Sequence, residues 1–112
     1  MLDVTTTDLT TLITVPTADP GASPSIPPTT ALVKSILVCN DSANTTLLDI
    51  EVLRSSATFE VFKEKSVATK TTTELLEQPL VLQESDVMKV QANAANQVHI
   101  TASYMEITKG QL

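Results

Sequence analysis

Apolar and polar residues alternate along most of the chain, and this alternation predicts β-strands. The clearest case is TLLDIEVLR at residues 46–54, where Leu48, Ile50 and Val52 would share one face and acidic residues would occupy the other. Successive side chains of a strand point to opposite faces, whereas a helix needs apolar residues every three or four positions. We therefore predict an all-β fold.

Clusters of turn residues separate the alternating segments. The segments predicted as strands are residues 9–15, 31–40, 46–54, 57–64, 67–77 and 97–107, together with a hairpin at 80–92 whose strands flank the acidic turn of Glu84, Ser85 and Asp86. Seven or eight short antiparallel strands with regular turns predict a single β-sandwich or jelly roll.

Some strands have apolar residues on both faces. Strict alternation in 31–40 puts Val33 and Cys39 on one face and Ile36 and Val38 on the other, so we expect this strand to be covered on both sides. The same alternation assigns three further side chains. Phe59 and Tyr104 are predicted to face the core, and Phe62 is predicted to be a surface aromatic or a subunit contact.

Two segments lie outside this pattern. Residues 1–8 are polar and unpatterned, and we predict an N-terminal arm that is ordered only on a neighbour, with residues 9–112 forming the sandwich domain. Residues 16–28 carry most of the prolines, which fix φ and remove backbone donors, and predict an extended loop. A loop of this length commonly has a partner, and a solvated connector is the alternative.

Composition narrows the classes of partner. The chain has 112 residues and a net charge of −6, and its few lysines are scattered. Nucleic acid is an unexpected partner, because phosphate binding needs a cationic surface. We expect neither a secretion signal nor a membrane span, since no apolar run approaches the length that either requires. The single cysteine, Cys39, is predicted to be a small buried side chain.

The chain offers little for catalysis. His99 is the only histidine, no G-x-S-x-G motif occurs, and two glycines are too few for a phosphate-binding loop. The turn at Glu84 and Asp86, with Asp41, could present oxygens to calcium, but an EF-hand loop needs more carboxylates and a glycine. We predict a non-enzymatic protein without cofactor or metal.

Two stretches resemble small structural β-sandwich proteins of tailed bacteriophage particles. They are ALVKSILVCNDSANTTLLDIEVLR at 31–54 and LLEQPLVLQESDVMKVQANAANQVHITASYMEI at 75–107. The family shows a strand of the form ALVKSI.V.N and a later segment close to ELLD.PLVL..GD.L.VQA...N.V...ASYLEI. Ser85 stands where that pattern has glycine, and residues 1–8 and 16–28 are additional to it.

The resemblance implies a virion protein, assembled in the host cytoplasm. The leading expectation is a capsid decoration or cement protein that forms a homo-oligomer, a trimer among the options, and docks on the major capsid protein. A neck or tail component is the alternative within this class.

Residues for such contacts are predicted in the arm, in the proline-rich segment and around Phe62. They are Met1, Leu2, Asp3, Val4, Pro16, Pro20, Pro24, Ile26, Pro27, Pro28 and Phe62. A hypothesis of another class is a carbohydrate-binding or adhesin module, which needs an exposed aromatic to stack on a sugar ring. With Phe59 and Tyr104 assigned to the core, that hypothesis depends on Phe62.

Overall fold

The computed structural model describes residues 1–25 and 27–108, and this part of the chain consists of β-strands and connections without a helix. The prediction of an all-β fold is confirmed. The strands are β1 (Leu2–Asp3), β2 (Thr10–Thr14), β3 (Thr29–Asn40), β4 (Thr46–Arg54), β5 (Ala57–Val67), β6 (Thr71–Glu74), β7 (Leu80–Leu82), β8 (Val87–Ala92) and β9 (Val98–Thr108).

The strands form two antiparallel sheets. The first has the order β1-β9-β3-β6, with β7 also paired to β3, and the second has the order β2-β8-β4-β5. Both sheets contribute to one core, which includes Val33, Ile36 and Ile100 from the first and Ile50 and Val90 from the second. The fold is therefore β-sandwich-like, with one apolar layer between two sheets.

The central strands of the second sheet follow the predicted alternation. Leu48, Ile50 and Val52 of β4 are buried, as are Met88 and Val90 of β8. The pairing of β4 with β8 has no shift of register, so opposed residues share a face along the whole pair.

A β-bulge interrupts the alternation in β3. Val33 lies opposite Tyr104 and Ser35 opposite Ser103, so Lys34 is an extra residue in β3. An extra residue reverses the faces beyond it. The buried residues are accordingly Val33 before the bulge and Ile36 and Val38 after it. The prediction that Val33 and Cys39 share one face, opposite Ile36 and Val38, is therefore wrong, and Cys39 is half-buried.

The side chain of Glu74 holds this bulge. Its Oε2 accepts hydrogen bonds from the N–H of Ile36 at 2.8 Å and of Leu76 at 3.2 Å, and Oε1 accepts one from Ser35 Oγ. Desolvation raises the pKa of Glu74, but these hydrogen bonds outweigh it and lower the pKa below its ordinary value. The charged form is thus the one that the bulge stabilises.

A second bulge corrects the assignment of the phenylalanines. In β5, Phe59 lies opposite Val52 and Phe62 opposite Ile50, so Val61 is an extra residue. Phe62 therefore points inward and packs, half-buried, against the core. Phe59 also lies on the inner face, but β5 is an edge strand and the side chain remains 55% exposed. The prediction that Phe59 is a core residue is wrong.

The predicted hairpin at 80–92 is also wrong. β7 pairs with β3 in the first sheet, while β8 pairs with β2 and β4 in the second. The turn between them crosses from one sheet to the other. Leu82 and Met88 can then approach the same core from opposite layers, which two strands of one hairpin could not do.

The start of the segment predicted as an arm belongs to the folded body. Leu2 and Asp3 pair with Ile100 and His99, and Val4 is 1% exposed within the core. The backbone of Val4 donates to Val98 O at 3.1 Å and accepts from the N–H of Asn96 at 2.9 Å. Residues 5–8 that follow are exposed.

This placement predicts the effect of trimming Val4. Val4→Ala should lower the free energy of unfolding by about 1–3 kcal/mol, because it removes buried apolar atoms. Thr5→Ala, at the exposed neighbour, should change it by no more than about 0.5 kcal/mol. Urea unfolding followed by circular dichroism measures both. Equal midpoints for the two variants would show that Val4 does not hold the start of the chain in the core.

Candidate interaction surface

Large apolar side chains are exposed together at one end of the two sheets. This is the end where β3 begins, β9 finishes and the turn at 83–86 crosses between the sheets. The exposed side chains there, each between 44% and 55% accessible, are Phe59, Val81, Tyr104, Met105 and Ile107. We call this set the apolar end. Grouped apolar exposure of this kind marks interaction surfaces in soluble proteins.

Part of the apolar end is a row across the outer face of the first sheet. Leu32 of β3 lies opposite Val81 of β7 on one side and opposite Met105 of β9 on the other. Opposed residues in antiparallel strands share a face and lie within contact distance. Ile107 stands two residues beyond Met105 on the same face, so the row widens along β9.

The apolar end also contains a cleft of about 290 Å³ between the edges of the two sheets. It is lined by Val52, Arg54, Phe59, Val61, Leu80, Val81 and Leu82. Phe59 forms one wall from β5, and Leu80 and Val81 contribute the opposite wall from β7. Such a cleft can accept an apolar side chain of a partner or the face of a ring.

A partly buried ion pair between Arg54 and Asp86 forms the base of the apolar end. Asp86, which is 1% exposed, accepts hydrogen bonds from Arg54 Nε at 2.9 Å and Arg54 Nη2 at 2.6 Å. Asp86 Oδ2 also accepts from the N–H of Gln83 at 2.7 Å. The hydrogen bonds from Arg54, opposed by desolvation, hold the pKa of Asp86 below its usual range. The pair ties the crossing turn to the end of β4.

The crossing turn needs an unusual backbone at Ser85. Its φ is 68°, in the left-handed region that glycine adopts most easily. The turn therefore holds a serine in a conformation that costs glycine little and most other residues more. The Ser85 hydroxyl lies 2.6 Å from Thr17 Oγ1.

The first part of the proline-rich segment lies along the crossing turn. The N–H of Val15 donates to Asp86 O at 2.9 Å, and the N–H of Ala18 donates to Glu84 Oε2 at 2.9 Å. Pro16 is half-buried beside these contacts. The carboxylates of the acidic turn are therefore engaged by protein donors, and Asp41 follows β3 at the opposite end of the sheets.

The residues predicted as contacts are not gathered in one place. Met1, Leu2, Asp3 and Val4 lie toward the end opposite the apolar end, and Val4 is inaccessible in the folded chain. Phe62 lies over the middle of β4. Pro16 and Pro27 are half-buried, Pro20, Pro24 and Pro28 are exposed, and Ile26 lies outside the described residues.

His99 links the first strand to a distant turn. Its Nδ1 lies 3.0 Å from Asp3 Oδ1, and its Nε2 lies 3.6 Å from Asp41 Oδ2. Residues 1–25 and 27–108 contain no cluster of three or more histidine, cysteine or acidic side chains placed to bind a metal ion. The same residues include no helix long and apolar enough to cross a membrane.

A groove of about 330 Å³ lies on the outer face of the second sheet. Its lining includes Thr7, Asp49, Glu64 and Gln91. Asp49 is already engaged, because its Oδ1 accepts from the N–H of Glu64 at 2.6 Å and its Oδ2 lies 3.3 Å from Lys63 Nζ. Asp49 thus holds an irregular part of β5, and the side-chain amide of Gln91 in the same lining donates to Thr7 O at 2.9 Å.

Comparison of the chain with protein families, with curated protein sequences and with solved structures gives no significant match.

Sequence reasoning missed the apolar end as a surface. A signal was present in the run Leu80, Val81 and Leu82, which has no polar position, so one of its side chains had to face outward. Met105 and Ile107 also occupy the face that strict alternation reserves for polar residues. Runs of this kind indicate an outer apolar face.

The ion pair between Arg54 and the buried Asp86 predicts a stability that depends on pH. A carboxylate whose pKa is lowered by folding stabilises the protein above the ordinary pKa, about 3.9, and this contribution is lost as pH falls through the lowered value. Asp86→Asn should therefore reduce the urea midpoint at pH 7, and its deficit relative to wild type should shrink below about pH 4. Asp8→Asn, at an exposed site, should match wild type at pH 7. A deficit for Asp86→Asn that stays constant from pH 7 to pH 3 would contradict this role of the charge.

Proposed function

We propose that the chain is a non-enzymatic structural protein of a tailed-phage virion, a capsid decoration or cement protein that oligomerises and docks on the major capsid protein. The observation that carries the proposal is the apolar end, where exposed apolar side chains of both sheets stand beside a cleft. A protein of this kind works through surface complementarity repeated in many copies.

The strand order supports the proposal. Read along the chain, β1, β3, β6, β7 and β9 belong to one sheet and β2, β4, β5 and β8 to the other, so most connections cross between the layers. We propose that this arrangement is a jelly roll, with β6 and β7 sharing the place of one strand. Jelly rolls are common in viral capsid proteins and in lectins.

Most of the binding free energy of docking would come from the apolar end. Exposed aromatic and aliphatic side chains that enter a partner's pockets, or receive a partner's side chain in the cleft, supply most of the energy of an interface. Phe59 and Met105 are the best anchors, since both are large and accessible and lie on different strands. The crossing turn next to the cleft is held by Arg54 and Asp86, so this part of the surface is already ordered before binding.

Other contacts have supporting roles in the proposal. The exposed Pro20, Pro24 and Pro28, with Pro16 and Pro27, belong to a segment of limited backbone freedom that starts beside the apolar end. Ile26, outside the described residues, is a proposed contact of the same segment. Met1 and the exposed Asp3 would contact a neighbouring subunit from the other end. A position in the neck or tail is the alternative within the same class, because the same surface could dock on either.

The test begins with particles of the phage or prophage whose genome encodes the chain. Mass spectrometry of purified particles should find the chain in many copies, and cryo-EM should place these copies on the capsid lattice. Absence from particles would end the virion proposal. Density confined to the neck or tail would reject capsid decoration and support a neck or tail component.

The docking surface is tested with variants on particles that lack the chain. Phe59→Ser and Met105→Ser should each weaken rebinding at least tenfold, a loss of about 1.4 kcal/mol or more, because each removes an apolar anchor. Leu47→Ser removes an exposed leucine at the opposite end and should bind as wild type does. Unchanged binding by Phe59→Ser and Met105→Ser would exclude the apolar end as the docking surface.

A carbohydrate-binding function is the second candidate, and one observation favours it. Phe59 and Tyr104, assigned to the core by alternation, are exposed at the apolar end, whereas Phe62 is half-buried. Exposed aromatic faces are what a sugar-binding module needs for stacking. Arg54, in the wall of the cleft beside Phe59, could add a hydrogen-bond donor.

A glycan array with the purified chain tests this candidate. Binding to a glycan should be lost in Phe59→Ala and retained in Phe62→Ala, because only the first removes an accessible ring from the cleft. The reverse order of effects, or no binding to any glycan, would rule the cleft out as a sugar site.

A further inference from the structure

Among the strands of residues 1–25 and 27–108, none pairs with one edge of β9 over most of its length. β3 pairs with one edge of β9 from Val98 to Thr108, while on the other edge β1 covers only His99 and Ile100. Continuing the β1 register places Met1 beside Thr101. No described strand covers residues 102–108 on that edge.

The backbone groups at this edge can be assigned. Val98 O accepts from the N–H of Val4, so the carbonyl of Val98 points to the β1 edge. Backbone groups of successive residues alternate between the two edges of an antiparallel strand. Ala102, Tyr104, Glu106 and Thr108 therefore present their N–H and C=O groups to the unpaired edge.

This edge lacks the features that prevent strand pairing. The exposed edge strand of the second sheet, β5, carries Glu60, Lys63, Glu64 and Lys65 and has two shifts of register. Charges and bulges of this kind discourage pairing with another chain. Residues 102–108, in contrast, include one charged side chain, Glu106, and β9 itself has no extra residue there.

We infer that β9 pairs antiparallel with β9 of a second copy of this chain, with Met105 opposite Met105 at the two-fold axis. In this dimer, residue 102 of one copy lies opposite residue 108 of the other, 104 lies opposite 106, and 105 lies opposite 105. The two first sheets thereby join edge to edge across the dimer.

Face geometry and charge select this register. Opposed residues must share a face, so the axis passes through a residue rather than between two residues. An axis at Glu106 would bring two carboxylates face to face, which is unfavourable. An axis at Met105 instead places each Glu106 opposite Tyr104. It also uses the whole unpaired stretch, because Met105 is the centre of 102–108.

The pairing joins two surfaces that are apolar on each copy. Leu32 lies beside Met105 in one chain, and the axis sets Met105 beside its equivalent, so the outer apolar row runs on into the second copy. Pairs of residues with outward N–H and C=O groups exchange two hydrogen bonds, and Met105 occupies a non-hydrogen-bonded position where side chains approach most closely.

This dimer specifies how the proposed homo-oligomer forms. It rests on the homo-oligomeric part of the proposed function and not on the virion role. A chain that is absent from particles but dimeric through β9 would overturn the virion role and support the inference. A chain found on particles but monomeric at high concentration would overturn the inference and support the virion role.

Disulfide cross-linking tests the register. In a Cys39→Ser background, Met105→Cys should form a covalent dimer under mild oxidation, since the Cα atoms of non-hydrogen-bonded pairs lie about 4.5 Å apart. Ile107→Cys is the matched control on the same face. Its equivalents would be separated by four residues, about 14 Å, which is too far for a disulfide. Equal cross-linking of the two variants, or cross-linking of Ile107→Cys alone, would overturn the register.

Sedimentation velocity tests the surface without a new cysteine. Wild type should show a dimer that dissociates on dilution, and Met105→Lys should be monomeric because two charges would meet at the axis. Val81→Lys places the same charge on the same outer face two strands away and should still dimerise. A monomeric or trimeric wild type would overturn the inference, as would a dimer that survives Met105→Lys and is lost in Val81→Lys.

Discussion

The bulge at Lys34 determines which side chains the first sheet buries and which it exposes. If Lys34 took a regular place in the ladder, the half of β3 before it would turn over, with Leu32 inward and Ala31 and Val33 outward. Val81 of β7 pairs with this half of β3 and would turn with it, whereas Met105 would stay outward because β9 has no extra residue. Glu74 holds the bulge through the N–H of Ile36 and the Ser35 hydroxyl. The outer apolar row thus depends on one carboxylate on a neighbouring strand.

The same constraint explains how far the fold could be predicted from sequence. Strands β4 and β8 were predicted with the correct inward faces because their mutual register has no interruption. The inward faces predicted for β3 and β5 are wrong because each strand contains a bulge. The bulges are held by side chains of other strands, Glu74 and Asp49, and the alternation within β3 and β5 does not reveal them. The crossing at 83–86 was missed because a turn cluster indicates a reversal but not the sheet to which the next strand belongs.

The sequence indicates the candidate surface only through more apolar residues than one buried face needs. Leu32, Val81 and Met105 exceeded what a single buried face requires, and strict alternation could not decide which of them faced outward. The contact predicted for Val4 fails for a different reason, because Val4 is buried in the chain's own core. A short polar segment gives little indication that one of its members, Val4, completes the core beside Val98. Burial of a single side chain depends on the space left between the sheets, and that space is a tertiary property.

Residue-resolved amide hydrogen exchange directly measures association through the edge of β9 at residues 102–108, because alternate amides of one strand serve as each other's controls. The N–H groups of Tyr104 and Glu106 should exchange rapidly in dilute protein and slowly at concentrations where the chain associates. Those of Met105 and Ile107, directed at β3, should be protected under both conditions. Equally rapid exchange of Tyr104 and Glu106 at both concentrations would contradict the account.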